Sequence, residues 1–120
     1  MYSIKKSFMI SAAHSLSHLP YRSPCKRMHG HNWNITVYCK GEMLNDNGMI
    51  IDFAVLKKLI HNKLDHKCLN RLKIGVTTAE AMAAWVCRTI NDKFREPSHA
   101  IYCYKVDIEE TEGSVATYEI

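Results

Sequence analysis

The histidines of this sequence are the residues whose spacing first indicates chemistry. Seven occur in 120 residues, and two of them form a His-x-His pair, His29 and His31. In an extended strand, residues two apart point to the same face, so both imidazoles can bind one metal ion. His14 ends an earlier candidate strand, and antiparallel pairing would bring it alongside. The three histidines are therefore candidate ligands of a catalytic Zn²⁺ with an open fourth position, and unliganded surface or core histidines are the alternative.

Cys25 is a candidate reactive thiol because it lies four residues before His29 and directly before Lys26 and Arg27. A thiol near a metal ion and two cations ionises more readily, so it could act as a general base or nucleophile. An inert loop cysteine is the alternative. The odd number of five cysteines and the lack of Cys-x-x-Cys argue against a disulfide framework and a zinc ribbon. The remaining four are predicted to be small core residues: Cys39, Cys68, Cys87 and Cys103.

Two acidic positions could complete such a site. Asp65 directly precedes His66 and could orient its imidazole and raise its basicity. Adjacent residues need not face each other, however, and the local pattern alone indicates a helix-terminus aspartate beside a surface histidine. Glu109 and Glu110 are adjacent in a candidate strand, so one of them must face inward. A buried carboxylate needs a donor-rich partner, such as a ligand edge with two N–H groups. An exposed strand carboxylate is the alternative.

Hydrophobic periodicity predicts the elements that position these residues. Alternating apolar residues predict strands over 2–13, 32–40, 101–111 and 115–120, with turns at 45–48 and 112–113. Asp52 can cap a helix that runs to about Leu64, with Phe53, Leu56, Ile60 and Leu64 on its apolar face. A Thr77-x-x-Glu80 capping box predicts a second helix, which ends before Pro97.

The order ββααββ favours an α+β fold, in which a four-stranded antiparallel sheet carries two helices on one face. A chain of 120 residues with 47% hydrophobic and 23% charged residues fits a single domain over 1–120. It has no apolar run of membrane-spanning length and no signal-peptide pattern, so we expect a cytoplasmic protein without a membrane partner. The net charge of +4 fits an anionic ligand. Because lysine and arginine are scattered, we expect no nucleic-acid partner.

Six segments together carry a resemblance to a known family, and they span nearly the whole chain in the family's order. They are 8–14 (Phe-Met-Ile-Ser-Ala-Ala-His), 25–32 (Cys-Lys-Arg-Met-His-Gly-His-Asn), 48–53 (Gly-Met-Ile-Ile-Asp-Phe), 64–70 (Leu-Asp-His-Lys-Cys-Leu-Asn), 77–80 (Thr-Thr-Ala-Glu) and 110–111 (Glu-Thr). The sequence thus resembles the 6-pyruvoyltetrahydropterin synthase superfamily. Within it, the short Cys25-x-x-x-His29-x-His31 spacing is similar to the 6-carboxytetrahydropterin-forming branch of the queuosine pathway.

The resemblance implies the tunnelling fold (T-fold) and a role for each matching residue. It implies that His14, His29 and His31 bind Zn²⁺ and that Cys25 is the catalytic proton acceptor. Three further roles are implied: Asp65 and His66 for the rest of the proton relay, Glu110 for anchoring the pterin and joining the relay, and Thr77 and Thr78 for contacts around the pterin ring. Lys26 and Arg27 are candidate contacts of the triphosphate because of their charge, and solvated loop cations are the alternative.

The implied activity is that of a zinc-dependent lyase. It would convert 7,8-dihydroneopterin triphosphate to 6-carboxy-5,6,7,8-tetrahydropterin and release acetaldehyde and triphosphate. The alternative within the family is the 6-pyruvoyl enzyme, which eliminates triphosphate without loss of carbon. A remote alternative is a non-catalytic zinc-binding module. The family also implies a homo-oligomer, a hexamer built from two trimers, with active sites between subunits.

Overall fold

The computed structural model describes residues 1–96 and 101–120, and a four-stranded antiparallel sheet of order β1-β2-β3-β4 is at its centre. The strands are β1 (Tyr2–His14), β2 (His29–Gly41), β3 (Ile101–Thr111) and β4 (Ser114–Glu119). The predicted α+β fold, with its four-stranded antiparallel sheet and ββααββ element order, is therefore confirmed. The second strand begins three residues earlier than predicted, so His29 and His31 lie within it rather than before it.

Two helical segments connect β2 to β3. The first consists of α1 (Phe53–Leu56), a π-helical turn (Lys57–His61) and α2 (Asn62–Leu64), and the second is α3 (Ala79–Lys93). Asp52 caps the first segment as predicted, because its carboxylate accepts the N–H of Ala54 at 2.8 Å. Short 3₁₀ turns lie at Pro24–Lys26 and Leu69–Arg71. No helix among the described residues is long and apolar enough to cross a membrane.

The cap of α3 differs from the prediction. Thr78 is the N-cap residue, since its hydroxyl accepts the N–H of Ala81 at 3.2 Å. The predicted capping box at Thr77 and Glu80 is therefore wrong by one residue. Thr77 lies fully buried just before the cap, where it contacts another part of the chain.

The hydrophobic core lies between the helices and one face of the sheet. Alternate residues of the strands and the inner faces of the helices form it, including Phe8, Ile10, Trp33, Ile35, Val37, Leu56, Ile60, Leu64, Met82, Val86, Ile90, Val106 and Ile108. Phe53 was predicted to belong to this core, and that prediction is wrong. The ring lies at the first helical position, is 47% exposed, and has the Lys6 ammonium 5.8 Å from its centroid.

Three of the four cysteines predicted for the core are buried: Cys39, Cys87 and Cys103. Hydrogen bonding with the Cys39 side chain raises the pKa of Cys103 to about 12, so this thiol stays protonated. The prediction is wrong for Cys68. This residue is partly exposed and its Sγ lies 3.9 Å from the Sδ of Met28, because the segment after α2 runs along the sheet edge instead of entering the core.

Two bulges adjust β3. The register with β2 shifts between Tyr38 and Cys39, so Tyr104 is an extra residue. The register with β4 shifts between Glu109 and Thr111, so Glu110 is an extra residue as well. A bulge bends its strand and changes the direction of a side chain, and such bulges are common beside functional sites. The second one determines where the Glu110 carboxylate lies.

Candidate metal centre and the residues around it

The pairing of β1 with β2 brings the three predicted histidine ligands together. His14 lies directly opposite His29, and Ala12 lies opposite His31. All three imidazoles belong to the face that carries the helices, since they share the alternation of the buried residues. Their ring centroids are 4.6 to 5.3 Å apart. The strand pairing assumed from the sequence is thus observed.

Backbone carbonyls fix the orientation of two of these rings. Nδ1 of His14 donates to the carbonyl oxygen of Thr77 at 2.9 Å, and Nδ1 of His29 donates to the carbonyl oxygen of Arg27 at 2.7 Å. A carbonyl oxygen can only accept, so Nδ1 carries the proton in both neutral rings. The lone pair is then on Nε2, which is the arrangement of metal-binding histidines.

Glu110 completes the cluster. One donor atom from each of His14, His29, His31 and Glu110 lies within 4.8 Å of the others. Oε1 of Glu110 is 3.2 Å from Nε2 of His31. The sequence prediction did not include Glu110 among the metal ligands, because the bulge that turns its side chain toward the histidines is not visible in the local pattern.

The donor atoms of this cluster fit a divalent metal ion. Nε2 of His14 is buried and has no partner among the described residues, and the buried Nε2 of His31 has only the Glu110 carboxylate beside it. Leaving a buried nitrogen unpaired costs free energy, and a metal ion bound by the Nε2 atom of His14 would remove that cost. Three imidazole nitrogens and a carboxylate oxygen are donors that Zn²⁺ prefers. The cluster can therefore hold a metal ion.

Apolar packing encloses one side of the cluster. The Trp33 ring is fully buried, with its centroid 4.7 Å from that of His14 and 5.4 Å from that of His31. Its Nε1 donates to the carbonyl oxygen of Ala12, which anchors the indole. Burial lowers the pKa of His14, although the hydrogen bond to Thr77 acts in the opposite direction. The site thus favours the neutral ring, which is the form of histidine that can bind a metal ion.

Cys25 lies in the 3₁₀ turn that precedes β2. Its N–H donates to Oγ of Ser23, and its carbonyl oxygen accepts the N–H of Leu16. The side chain is partly exposed, and within 1–96 and 101–120 its thiol forms no hydrogen bond or ion pair. Lys26 and Arg27 are exposed and form no ion pair with any described residue. The roles predicted for these three residues stay predictions.

Asp65 and His66 form a connected pair at the outer edge of β1. Oδ2 of Asp65 lies 2.9 Å from Nδ1 of His66, and Oδ1 accepts the N–H of Ser11 at 2.9 Å. The His66 N–H donates to the carbonyl oxygen of Ser11, and the backbone of His66 has a positive φ of 59°. Such a conformation is uncommon outside glycine and is found at functional sites. The hydrogen bond from Ser11 lowers the pKa of Asp65, so the carboxylate is ionised at neutral pH.

A shallow cleft connects this pair to the histidine cluster. It has a volume of about 580 Å³, and its lining includes Ser11, His31, Asn32, His66 and Cys68. Clefts of 300–1,000 Å³ are typical of small-molecule sites. A second groove of about 440 Å³ lies on the other side of Glu110, between the start of α3 and β4. Small-molecule surfaces therefore adjoin the cluster on two sides.

Thr77 contacts the cluster directly. Its hydroxyl is 3.2 Å from Nδ1 of His14, the same atom that donates to its carbonyl oxygen. Nothing in the local sequence indicates this contact, because it joins residues 63 positions apart. Thr78 caps α3 in the next position. Contacts of Thr77 and Thr78 with a pterin ring stay predictions.

The fold and the site define a class of protein: a small α+β sheet whose strand ends carry a candidate metal centre beside clefts for a small molecule. The family model for 6-pyruvoyl tetrahydropterin synthase matches residues 3–120. The chain belongs to this family of enzymes, as its motifs indicated.

Individual relatives are similar to this protein over almost the whole given sequence. The 6-carboxy-5,6,7,8-tetrahydropterin synthase of Synechocystis sp. is 35% identical over 98% of this chain and 93% of its own length. The enzyme of the same name from Bacillus subtilis is 29% identical over 98% of this chain and 84% of its own. The solved structure of Caenorhabditis elegans 6-pyruvoyl tetrahydropterin synthase superposes with a TM-score of 0.76 and 29% identity, covering 99% of this chain and 95% of that one.

Proposed function

We propose that this chain is a zinc-dependent 6-carboxytetrahydropterin synthase. It would act on 7,8-dihydroneopterin triphosphate and release acetaldehyde and triphosphate, as a cytoplasmic enzyme of the queuosine pathway. The observation that carries this proposal is the cluster of His14, His29, His31 and Glu110, in which the buried Nε2 of His14 has no partner among the described residues. The names of two relatives that match 98% of the chain support the choice of product.

The three histidines would hold Zn²⁺ through their Nε2 atoms. When bound, the ion supplies Lewis acidity that makes the hydroxyl groups of the pterin side chain more acidic. The carbonyls of Thr77 and Arg27 keep the ligand nitrogens oriented before any metal arrives. Trp33 excludes water from the inner side of the site, which strengthens the electrostatic interactions there.

Two groups of this chain would move protons. Cys25 would accept a proton from the pterin side chain, since its turn leads directly into the strand that carries His29. The ionised Asp65 would orient His66 through the 2.9 Å contact with Nδ1, which leaves Nε2 of His66 free to exchange a proton with substrate. The side chain of His66 is 82% exposed in the single chain, so it can reach a ligand that approaches from outside.

Glu110 would anchor the pterin ring. Its carboxylate lines the second groove as well as facing the histidines, and a carboxylate can accept the two parallel N–H groups of a pterin edge. Thr77 and Thr78 lie at the same end of α3 and would contribute contacts around the ring. Lys26 and Arg27 would bind the triphosphate, and their unpaired, exposed side chains support that role.

The products distinguish this proposal from its alternatives. The zinc-loaded chain is incubated with 7,8-dihydroneopterin triphosphate, and pterins and acetaldehyde are quantified by mass spectrometry, with chelator-treated protein as the control. One acetaldehyde per 6-carboxytetrahydropterin supports the proposal. Triphosphate release without acetaldehyde indicates the 6-pyruvoyl activity that the C. elegans protein is named for. A protein that binds zinc but leaves the substrate unchanged is a non-catalytic zinc-binding module.

Cys25 offers a sharp test of the proposed chemistry. Replacing Cys25 by Ser should lower turnover about 100-fold or more, because a serine hydroxyl is a far weaker proton acceptor than a thiolate. Stability should change by less than about 0.5 kcal/mol, since the side chain lies outside the core. Turnover of the folded C25S protein and its urea midpoint measure the two effects. A folded variant with wild-type turnover would exclude this role.

A further inference from the structure

A third ionisable side chain lies beside the Asp65–His66 pair and has no role in the function proposed above. Nε2 of His61 is 3.6 Å from Oδ2 of Asp65, the same oxygen that contacts Nδ1 of His66 at 2.9 Å. The His61 and Asp65 side chains are both about three quarters buried, with 24% and 23% of their surface exposed. This contact is thus shielded from solvent more than most surface ion pairs.

The helix geometry explains why His61 and Asp65 face each other. His61 is the last residue of the π-helical turn, and Asp65 follows α2 four residues later. The Asp65 N–H donates to the carbonyl oxygen of His61 at 2.9 Å, so the two residues lie one turn apart on the same helix face. Single π turns within helices occur frequently at functional sites.

The two carboxylate oxygens of Asp65 contact different groups. Oδ1 accepts the backbone N–H of Ser11, which fixes the carboxylate against β1. Oδ2 is shared by the two imidazoles. Nδ1 of His61 also lies 3.2 Å from Oδ1 of Asn62, so both ring nitrogens of His61 face oxygen atoms.

Among the described residues, Asp65 is the only carboxylate within ion-pair distance of His61. From β1, the Phe8 ring packs 6.4 Å from the His61 ring, and the Lys6 ammonium lies 5.7 Å from the Phe8 centroid. Lys57 and Lys58 precede His61 in the π turn. No ion pair joins His61 to a charged side chain of α3 in the described part of the chain.

We propose that His61 is a positioning residue that contacts Oδ2 of Asp65 together with His66, so that two imidazoles share one carboxylate oxygen. His61 thereby stabilises the ionised carboxylate that orients His66. Without His61, the carboxylate would interact with His66 alone. The consequence for catalysis rests on the proposed function, in which His66 exchanges a proton with substrate, whereas the sharing of the carboxylate does not.

NMR titration of the Asp65 carboxyl carbon in the whole chain tests the sharing without substrate. In His61→Gln, the titration midpoint of Asp65 should rise, because the interaction with His61 is one of those that hold the pKa of this carboxyl below its ordinary value. Lys58→Gln is the matched control, since it removes a charge from the same turn and leaves the Asp65 contact in place.

The outcomes separate this inference from the proposed function. An unchanged Asp65 midpoint in H61Q, or an equal rise in K58Q, would overturn the inference whatever reaction the enzyme catalyses. Where the chain turns over substrate, kcat should fall in H61Q with KM unchanged. If H61Q does not fold, His61→Asn serves instead, and the same rise is expected at Asp65.

Discussion

At the scale of single residues, the site depends on which ring nitrogen of each histidine carries the proton. Two backbone carbonyls, those of Thr77 and Arg27, set this for His14 and His29. Both residues lie in motif segments, 25–32 and 77–80, yet it is their backbone carbonyls that act on the candidate metal ligands. Such outer contacts orient ligands and tune their basicity, and their loss typically weakens metal affinity about 10- to 100-fold.

The histidine cluster itself can be tested by metal content. The wild-type chain should bind one zinc ion, and His31→Ala should reduce the affinity by about 100-fold or more, because a direct ligand is lost. Metal analysis after equilibrium dialysis measures both. His18→Ala is the control, as His18 is exposed in the loop between β1 and β2. Zinc binding that is equal in H31A and wild type would show that the cluster is not the metal site.

The hydroxyl of Thr77 can be tested separately from its carbonyl oxygen. Thr77→Val keeps the shape of the buried side chain but removes the oxygen 3.2 Å from Nδ1 of His14. We expect zinc affinity to fall about 10-fold, at the lower end of such effects, since the carbonyl contact remains. Competition with a chromogenic chelator measures the change. Thr77→Ser should retain wild-type affinity, and an equal loss in both variants would assign the effect to packing.

At the scale of elements, the segment after α2 attaches the helices to the outer edge of β1. Ser11 exchanges backbone and side-chain hydrogen bonds with Asp65 and His66, and the Ala13 N–H donates to the carbonyl oxygen of Lys67. A sheet edge of this kind otherwise presents unpaired groups to solvent. The hydrogen bonds that pair the backbone groups of this edge therefore also hold the Asp65–His66 pair, the proposed proton relay, beside the histidine cluster.

This attachment should appear in the dependence of stability on pH. The native pKa of Asp65 is below its ordinary value because of the Ser11 hydrogen bond, so the unfolded state takes up the proton first as the pH falls. Stability contributed by Asp65 should be complete above roughly pH 5 and decrease as the pH falls through its native pKa.

Urea unfolding at a series of pH values measures this contribution. Asp65→Asn should be less stable than wild type at neutral pH and should lose less stability on acidification. Asp46→Asn, in the exposed turn after β2, is the control and should follow the wild-type profile. If the stability of D65N falls with pH as steeply as that of wild type, the ionised Asp65 carboxylate does not stabilise the edge.

At the scale of the whole molecule, the outer edges of β1 and β4 are largely without hydrogen-bond partners among the described residues. The segment after α2 covers only Ser11 and Ala13 of β1, and the outer edge of β4 has no neighbouring strand. Large apolar side chains are exposed near both edges, including Tyr2, Met9, Val115 and Tyr118. These features support the proposed homo-hexamer of two trimers, in which neighbouring chains would pair their edge strands.

A proline on the edge of β1 tests this assembly. Lys5 has the same strand parity as Ser11, whose backbone groups point outward, so Lys5→Pro removes an outward N–H without breaking the pairing with β2. Sedimentation velocity at micromolar concentration should give a hexamer for wild type and smaller species for K5P. Lys5→Gln should remain hexameric. A monomeric wild-type chain with full activity would contradict the proposed assembly.

Local sequence patterns were sufficient to predict the strands, the helices and the clustering of the three histidines. Alternation along β1 and β2 depends on burial of one sheet face, and that same alternation puts His14, His29 and His31 on one side. Asp52 was recognisable as a cap because a capping carboxylate needs only the next turn of its own helix. Residues whose environment is set by near neighbours in sequence were therefore predictable.

Contacts between distant residues were decided only by the tertiary structure. The bulge that turns Glu110 toward the histidines depends on the pairing of β3 with β4, and the Thr77 contact depends on where α3 packs against β1. Cysteine is a residue type common in cores, but the backbone of Cys68 pairs with Ala13 at the edge of β1, where backbone groups would otherwise lack hydrogen bonds. Sequence periodicity indicates which face of an element is buried. The positions of Glu110, Thr77 and Cys68 depend instead on which hydrogen bonds form between whole elements.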